Sequence, residues 1–289
     1  MSHAAIFDEH RPTMVGAAYR VLGTVQDAED AVQEVWPRWA GVDLEEVTSP
    51  RAYLLQAATR QALNRVREQQ RRREQYVGSW LPEPVADIAA LGADEQVETA
   101  ESVSMAMLVV LASLSPLERA AFMLKEVFDL PYSEIAGTLD RSESAVRQVV
   151  HRARSHVHAR APRHPVDTSA HREVTRRFLD AVQGGGSIED LVAGLSPDVV
   201  LITDGGGLKQ AALRPIRGVD KVMRFYAGVM TKPDAPTRWR AVDVNGQAGI
   251  GAFHADGTLD SVAVLDLDGP LVRAIYMIRN PEKLRLLDP

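Results

Sequence analysis

The chain has 289 residues, 45% of them hydrophobic and 25% charged, with a net charge of −6 and no cysteine. That length and composition suit two or three ordinary globular domains. The missing thiols exclude disulfides, thiolate metal sites and a cysteine nucleophile, and no apolar run approaches the roughly 18 residues that a membrane-spanning helix needs.

The first stretch, MSHAAIFDEH, has neither a basic start nor an apolar core, so no export signal is expected and the reading is cytoplasmic. Apolar groups at Ile6, Met14, Val15, Ala18, Tyr19 and Leu22 recur at helical spacing, and Gly23 suits a helix end. A second, acidic helix starts near Asp27, with Ala28, Ala31, Val32 and Val35 on one stripe and Asp27, Asp30 and Glu34 outside it. Pro37 is expected to end or kink it, leaving Trp36 and Trp39 to anchor the turn.

Residues 51–75 read as a long helix carrying seven arginines and no lysine. Such a run is either a solvated face or a surface that meets phosphate. The exclusive use of arginine, whose planar fork matches phosphate oxygens, favours the second. The charge then changes sign: from Glu74 to Glu118 there are eight acids and no Lys or Arg, in a stretch whose Gly78, Pro82, Pro84 and Gly92 read as a linker.

A helix over about 103–114 is followed by LSPLER, where Ser115 and Glu118 form a capping box. Residues 131–160 then have the layout of a helix-turn-helix. Ile135, Ala136 and Leu139 face Val146 and Val149 across a turn at Asp140 and Arg141, with Ser142 as N-cap. Ser144, Arg147, Gln148 and His151 would then project outward, and Arg and Gln are the side chains that read guanine and adenine edges in the major groove. A plain helical hairpin with a charged surface is the alternative.

After residue 165 the pattern changes. Helices are expected at 170–183, 187–194 and 218–230, and strands from Pro197 onward, with Asn245-Gly246 and Asp256-Gly257 as hairpin turns. The expectation is an α+β domain with a curved antiparallel sheet. Its polar lining would come from Asp204, Tyr226, His254 and Asp260, which make no complete acid–base set, so no catalytic residue is assigned. Five of the eight histidines lie between 151 and 171 in a basic context, so neither a metal nor a cofactor is expected.

Three stretches, LGTVQDAEDAVQEVW, SPRAYLLQAATRQALNRVREQQRRRE and LSPLERAAFMLKEVFDLPYSEIAGTLDRSESAVRQVVHRAR, resemble extracytoplasmic-function sigma factors of bacterial RNA polymerase. WLPEP (80–84), DGGGLK (204–209) and NPEKL (280–284) are similar to the three motifs of the subgroup with a fused C-terminal SnoaL-like domain. The resemblance implies a multidomain chain: two all-α sigma domains, the second a helix-turn-helix, followed by an α+β SnoaL-like cone. The boundaries would be 1–75 for region two, 76–102 for an acidic linker, 103–164 for region four and 165–289 for a regulatory domain.

It further implies a docking surface for the β′ clamp helices of the polymerase core at Asp27, Asp30, Gln33 and Glu34, and contact with the β flap. Reading of an unpaired −10 element would fall to Arg51, Tyr53, Gln56, Arg60, Asn64, Arg65 and Arg67. The duplex −35 element would be read by Ser144, Arg147, Gln148 and His151, with Arg152 and Arg154 on phosphates. Trp80, Leu81, Pro82, Glu83 and Pro84 would anchor the C-terminal domain, or else Trp80 would only cover the first domain. Asp204, Gly205, Gly206, Gly207, Lys209, Asn280, Pro281, Lys283 and Leu284 carry the other two motifs, the first of which inserts Leu208 before Lys209. Expected partners are the polymerase core, promoter DNA and a small molecule in the C-terminal pocket, with no membrane. Two other readings stand beside this one: a helix-turn-helix regulator with a ligand-binding domain, and a small-molecule enzyme with a DNA-binding appendage.

Overall fold

The computed structural model describes residues 2–86, 88–91, 104–160, 167–185 and 188–287. It divides the chain into two compact units, residues 1–74 with 87–161, and residues 75–86 with 162–289. The first part of the expected linker therefore belongs with the C-terminal residues. Four of its acids, Asp94, Glu95, Glu98 and Glu101, lie outside the described residues, as does Asp87.

The first unit is all helical. α1 (His3–Leu22) stops at Gly23, whose φ of 78° lets its N–H turn back to the Tyr19 carbonyl. α2 (Val25–Gln33) buries Ala28, Ala31 and Val32. Pro37 does not kink α2. It lies in the first turn of a short α3 (Trp36–Trp39), where a missing N–H costs nothing. α4 (Pro50–Glu74) is the arginine-rich helix. After it come α5 (Met105–Ala112) and α6 (Pro116–Phe122), the latter with both halves of the Ser115–Glu118 capping box formed. A single π-helical turn, Met123–Val127, leads to α7 (Tyr132–Leu139) and α8 (Glu143–His158). Asp140 caps α7 at φ 52°, and Ser142 accepts the Ala145 N–H to start α8, which fixes the tight turn between them.

Although two sigma domains were expected, their apolar faces share one core. Ala17 of α1 and Leu55 of α4 are buried in the same cluster as Leu111, Phe122, Ile135, Val146 and Val150. Arg119, only 4% exposed, stitches the parts together: its guanidinium donates to the carbonyls of Leu111, Ala112 and Leu114 and to that of Val21 at the end of α1.

The second unit contains α9 (Thr168–Val182), α10 (Ile188–Ala193), β1 (Leu195–Asp204), β2 (Ile216–Arg217), α11 (Val219–Met230), β3 (Arg238–Val244), β4 (Gln247–Phe253), β5 (Leu259–Asp268), β6 (Leu271–Ile278) and α12 (Pro281–Leu284). Its six strands are ordered β2-β1-β6-β5-β4-β3. The sheet is mixed rather than wholly antiparallel, because the β3–β6 meander returns to place β6 beside β1 in the same direction. Asn245 and Gly246, at φ 55° and 73°, make the expected hairpin turn between β3 and β4. Phe178 and Leu179 from α9 and Val222 from α11 close a core with Val199, Leu201, Ile250, Leu265 and Ile275 from the sheet.

Candidate functional site

In α8 the inward positions Val146, Val149, Val150 and Ala153 are buried, which leaves Ser144, Arg147, Gln148, His151 and Arg152 exposed on the other side. Arg147 lies over the Tyr132 ring at 4.3 Å and meets Glu143 at 3.2 Å. Arg152 and Arg154 are tethered to Glu118 and Glu126, at 3.6 and 2.7 Å. The face is thus preorganised and cationic, with its carboxylates at the border.

The second basic surface, on α4, is differently engaged. Arg51 and Asn64 are exposed, and Tyr53 is stacked at a tilt on buried Trp39, 5.5 Å between ring centres. Gln56 donates to Glu134 of α7 at 2.8 Å, while Arg60 donates to the Gly137 and Thr138 carbonyls of the same helix at 2.8 and 3.2 Å. Arg65 turns toward α2 and pairs with Glu34 at 2.6 Å and Asp30 at 3.5 Å, within the field of Asp27. Burial alone would lower the Arg65 pKa, but the Glu34 bond and the surrounding acids hold it above the usual value. The Arg67 side chain lies outside the described residues.

The most closely knit polar group is in the second unit. Asp204, fully buried at the end of β1, accepts from the Tyr76 hydroxyl (2.6 Å), the Leu81 N–H (2.8 Å), the Lys283 ammonium (2.7 Å) and the Gly206 N–H (3.1 Å). Lys283 also donates to the Leu81 carbonyl and lies over the Trp80 and Tyr76 rings at 4.3 and 5.0 Å. Asn280 donates to the Tyr76 hydroxyl at 2.9 Å, and its side-chain oxygen caps α12, whose first residue is Pro281. Four residues after Leu81, Val85 exchanges hydrogen bonds with Asn245 at the β3–β4 turn. Residues 76–85 thus form a strap held at the ends of β1 and β6 and again at β3–β4, crossing the strand order between. Leu81, Pro82, Glu83, Pro84 and Leu284 are buried, and Trp80 is partly so.

Two glycines of DGGGLK are needed for close approach. A Cβ on Gly205 would stand 2.2 Å from the Lys209 carbonyl oxygen, and one on Gly206, at φ 61°, 2.3 Å from the Asn280 amide nitrogen. Gly207 lies over Val77. Burial, then the bond to Asp204, push the Tyr76 hydroxyl above its ordinary pKa, so it stays a donor.

Asp204, expected in the pocket, instead holds the strap. The cavity among α9, α11 and the sheet is walled by Tyr226, Asp260, Ser261 and Arg279 among apolar side chains. Asp260 accepts two bonds from Arg279, at 2.9 and 3.1 Å, with His254 at 3.4 Å and Lys209 at 3.6 Å. Burial acts to raise the Asp260 carboxyl, but Arg279, Lys209 and Ser261 together outweigh it and hold it below the usual range. The lysine of DGGGLK therefore serves Asp260 and the lysine of NPEKL serves Asp204. Tyr76 and Arg279 were missed in the sequence because each lies one residue or more outside a recognisable motif.

Residues 6–72 match the family model for Sigma-70 region 2, and residues 104–157 that for Sigma-70, region 4. The chain is 37% identical over 291 aligned residues to the ECF RNA polymerase sigma factor SigJ of Mycobacterium tuberculosis, covering 96% of this chain and 91% of that one. It is 29% identical to the probable ECF RNA polymerase sigma factor SigI of the same organism, covering 97% and 94%. The crystal structure of SigJ superposes with a TM-score of 0.78 at 33% identity, over 97% of this chain and 98% of the other.

Proposed function

The chain belongs to the extracytoplasmic-function sigma factors of bacterial RNA polymerase, and from that premise we propose that α4 engages the opened −10 element, α8 reads the −35 duplex, and the C-terminal unit controls both in cis. As a member of this family it directs polymerase to specific promoters. The reading as a stand-alone helix-turn-helix regulator is not favoured. Its working place would be where the polymerase is, in the bacterial cytoplasm.

The observation that carries the control is the strap. Residues 76–85 lie in sequence between the two sigma regions, yet their polar groups are spent on Asp204, Lys283 and Asn245 of the C-terminal unit. A domain that grips the connection between two DNA-binding regions can restrict how they part. The bonds from Gln56 and Arg60 to α7 support a closed resting form, because side chains proposed for the −10 strand are occupied by the region that would read −35. Core polymerase and promoter would have to replace those bonds.

Regulation suits the cone better than catalysis. Of its carboxylates facing the cavity, Asp260 is neutralised by Arg279, and a proton-abstracting base needs a carboxylate with a free lone pair toward substrate. The docking role proposed for Asp27, Asp30, Gln33 and Glu34 fits a partly acidic surface on α2.

Run-off transcription with purified core polymerase tests the proposal, comparing the full chain with one ending at Pro165. Initiation should require the added chain and should differ between the two forms. Equal transcription from both would remove the C-terminal unit from control, and no initiation from either would remove the −10 and −35 assignments.

A further inference from the structure

The cavity of the second unit has a chemistry that neither promoter binding nor the strap explains. Phe178, Val182, Tyr226, Trp239, Ala263 and Met277 make it almost wholly apolar, and about 50 Å³ is open to the centre of a water-sized sphere. One wall is an exception. Asp260, 3% exposed, and Arg279, 8% exposed, are held there at real desolvation cost. Lys209, outside the lining of the cavity, stands 3.6 Å from Asp260 and places a second cation behind that wall. Arg279 spends one amino group on Asp260 and the other on the Gln210 carbonyl at 2.6 Å, yet a guanidinium carries five N–H donors, so donors remain. An apolar chamber that ends in a guanidinium with donors to spare, its carboxylate partner backed by a further ammonium, selects one kind of guest.

We propose that this cavity is a binding site for a small amphipathic monocarboxylate, its hydrocarbon part among Phe178, Trp239 and Met277 and its carboxylate toward Arg279, with Lys209 behind the wall adding to the attraction. The accessible space limits the guest to a single ring or a short chain. An amine would meet like charge at Arg279, whose carboxylate partner Asp260 is already taken. A neutral alcohol would gain the apolar contact alone. The head would also sit beside the strap's clamp, since the Arg279 N–H donates to the Asp204 carbonyl at 2.7 Å and the next residue, Asn280, holds Tyr76. Only this last consequence rests on the control proposed for the strap; binding is measured apart from transcription.

Calorimetric titration of the full chain with octanoate, octan-1-ol and octylammonium tests the site, since the three share a chain and differ in head charge. Octanoate should bind one to one, at least about tenfold more tightly than octylammonium. Ala263→Leu, which fills the cavity with an apolar group, should abolish binding while the melting temperature is kept or raised. Lys209→Gln, at a half-exposed position, should weaken octanoate several-fold and leave octanol unchanged. The proposal is overturned if millimolar octanoate gives no saturable heat, if octylammonium binds as well, or if either variant binds octanoate like the parent chain.

Discussion

Replacing Asp204 by alanine should detach the strap, and the structure gives the size of the effect. Asp204 is 0% exposed and its partner Lys283 is 6% exposed, so the substitution leaves a buried ammonium without its carboxylate. Removing one partner of a buried pair costs about 3–5 kcal/mol. The Tyr76 hydroxyl and Leu81 N–H lose their acceptor as well, at about 1–3 kcal/mol for each donor left unsatisfied. Undocking of the strap would let water solvate these groups and so avoid those costs. The penalty then saturates at the strap's own docking energy. Hydrogen exchange of the full chain reads this directly: the Leu81 and Val85 amides should lose protection, while amides in the β5–β6 ladder keep most of theirs. Pairing the substitution with Lys283→Met should return at least half of the loss, because an apolar pair is tolerated where a lone charge is not. Unchanged exchange at Leu81, with less than about 1 kcal/mol lost in urea unfolding, would refute the clamp as the strap's fastening.

Arg147→Ala should relax discrimination at one −35 position by about 1–3 kcal/mol, seen as flattened relative affinities across a promoter library; an unaltered preference would remove Arg147 from base reading. Gly206→Ala should destabilise the second unit, because the new Cβ meets the Asn280 amide at a φ of 61°, and its Leu81 amide should exchange faster than in the parent. Asp266 is 8% exposed, and burial pushes its carboxyl up despite Arg273, Tyr276 and His171 nearby. A raised folded-state value gives stability that is full below about pH 4 and fades as pH rises through that value, so Asp266→Asn should flatten the decline of urea stability above about pH 4. An identical slope in parent and variant would contradict it.

Helix positions were legible because apolar periodicity, Ser115, Ser142 and Gly23 are local signals, and each made the cap or end its residue type favours. The hairpin at Asn245-Gly246 was legible for the same reason. What sequence could not give was long-range pairing. Nothing near Asp204 indicates that Tyr76, 128 positions away, will bond it, and a buried aspartate and an active-site aspartate look alike in one dimension. The pocket was accordingly furnished with Asp204, when the cation beside Asp260 comes from Arg279. The shared core of the first unit was hidden likewise: Leu55 reads as one more apolar stripe residue until α5–α8 are packed against it. The parallel β1–β6 pairing follows from chain return and not from any strand's own residues.

The strap also divides the stretch between the sigma regions into two kinds of chain. From Tyr76 to Val85 the only charge is Glu83, and the segment offers the C-terminal unit aromatic, proline and backbone groups. From Asp87 to Glu101 it carries five acids and no base. The sigma-factor resemblance implies that the acidic linker enters the polymerase active-site channel and is displaced there by nucleic acid of like charge; a segment clamped to a folded domain of more than a hundred residues would have to undock to do so, and the acidic part would not. Anchoring the C-terminal unit and entering the channel would therefore be separable at Ala86. Loosening the clamp with Asp204→Ala should alter control while leaving the acidic part competent, and neutralising Asp94, Glu95, Glu98 and Glu101 to amides should impair initiation with the strap still docked. Run-off transcription paired with Leu81 exchange distinguishes the two. If both sets of substitutions moved both readouts together, the linker would be acting as one element, and the division at Ala86 would be wrong.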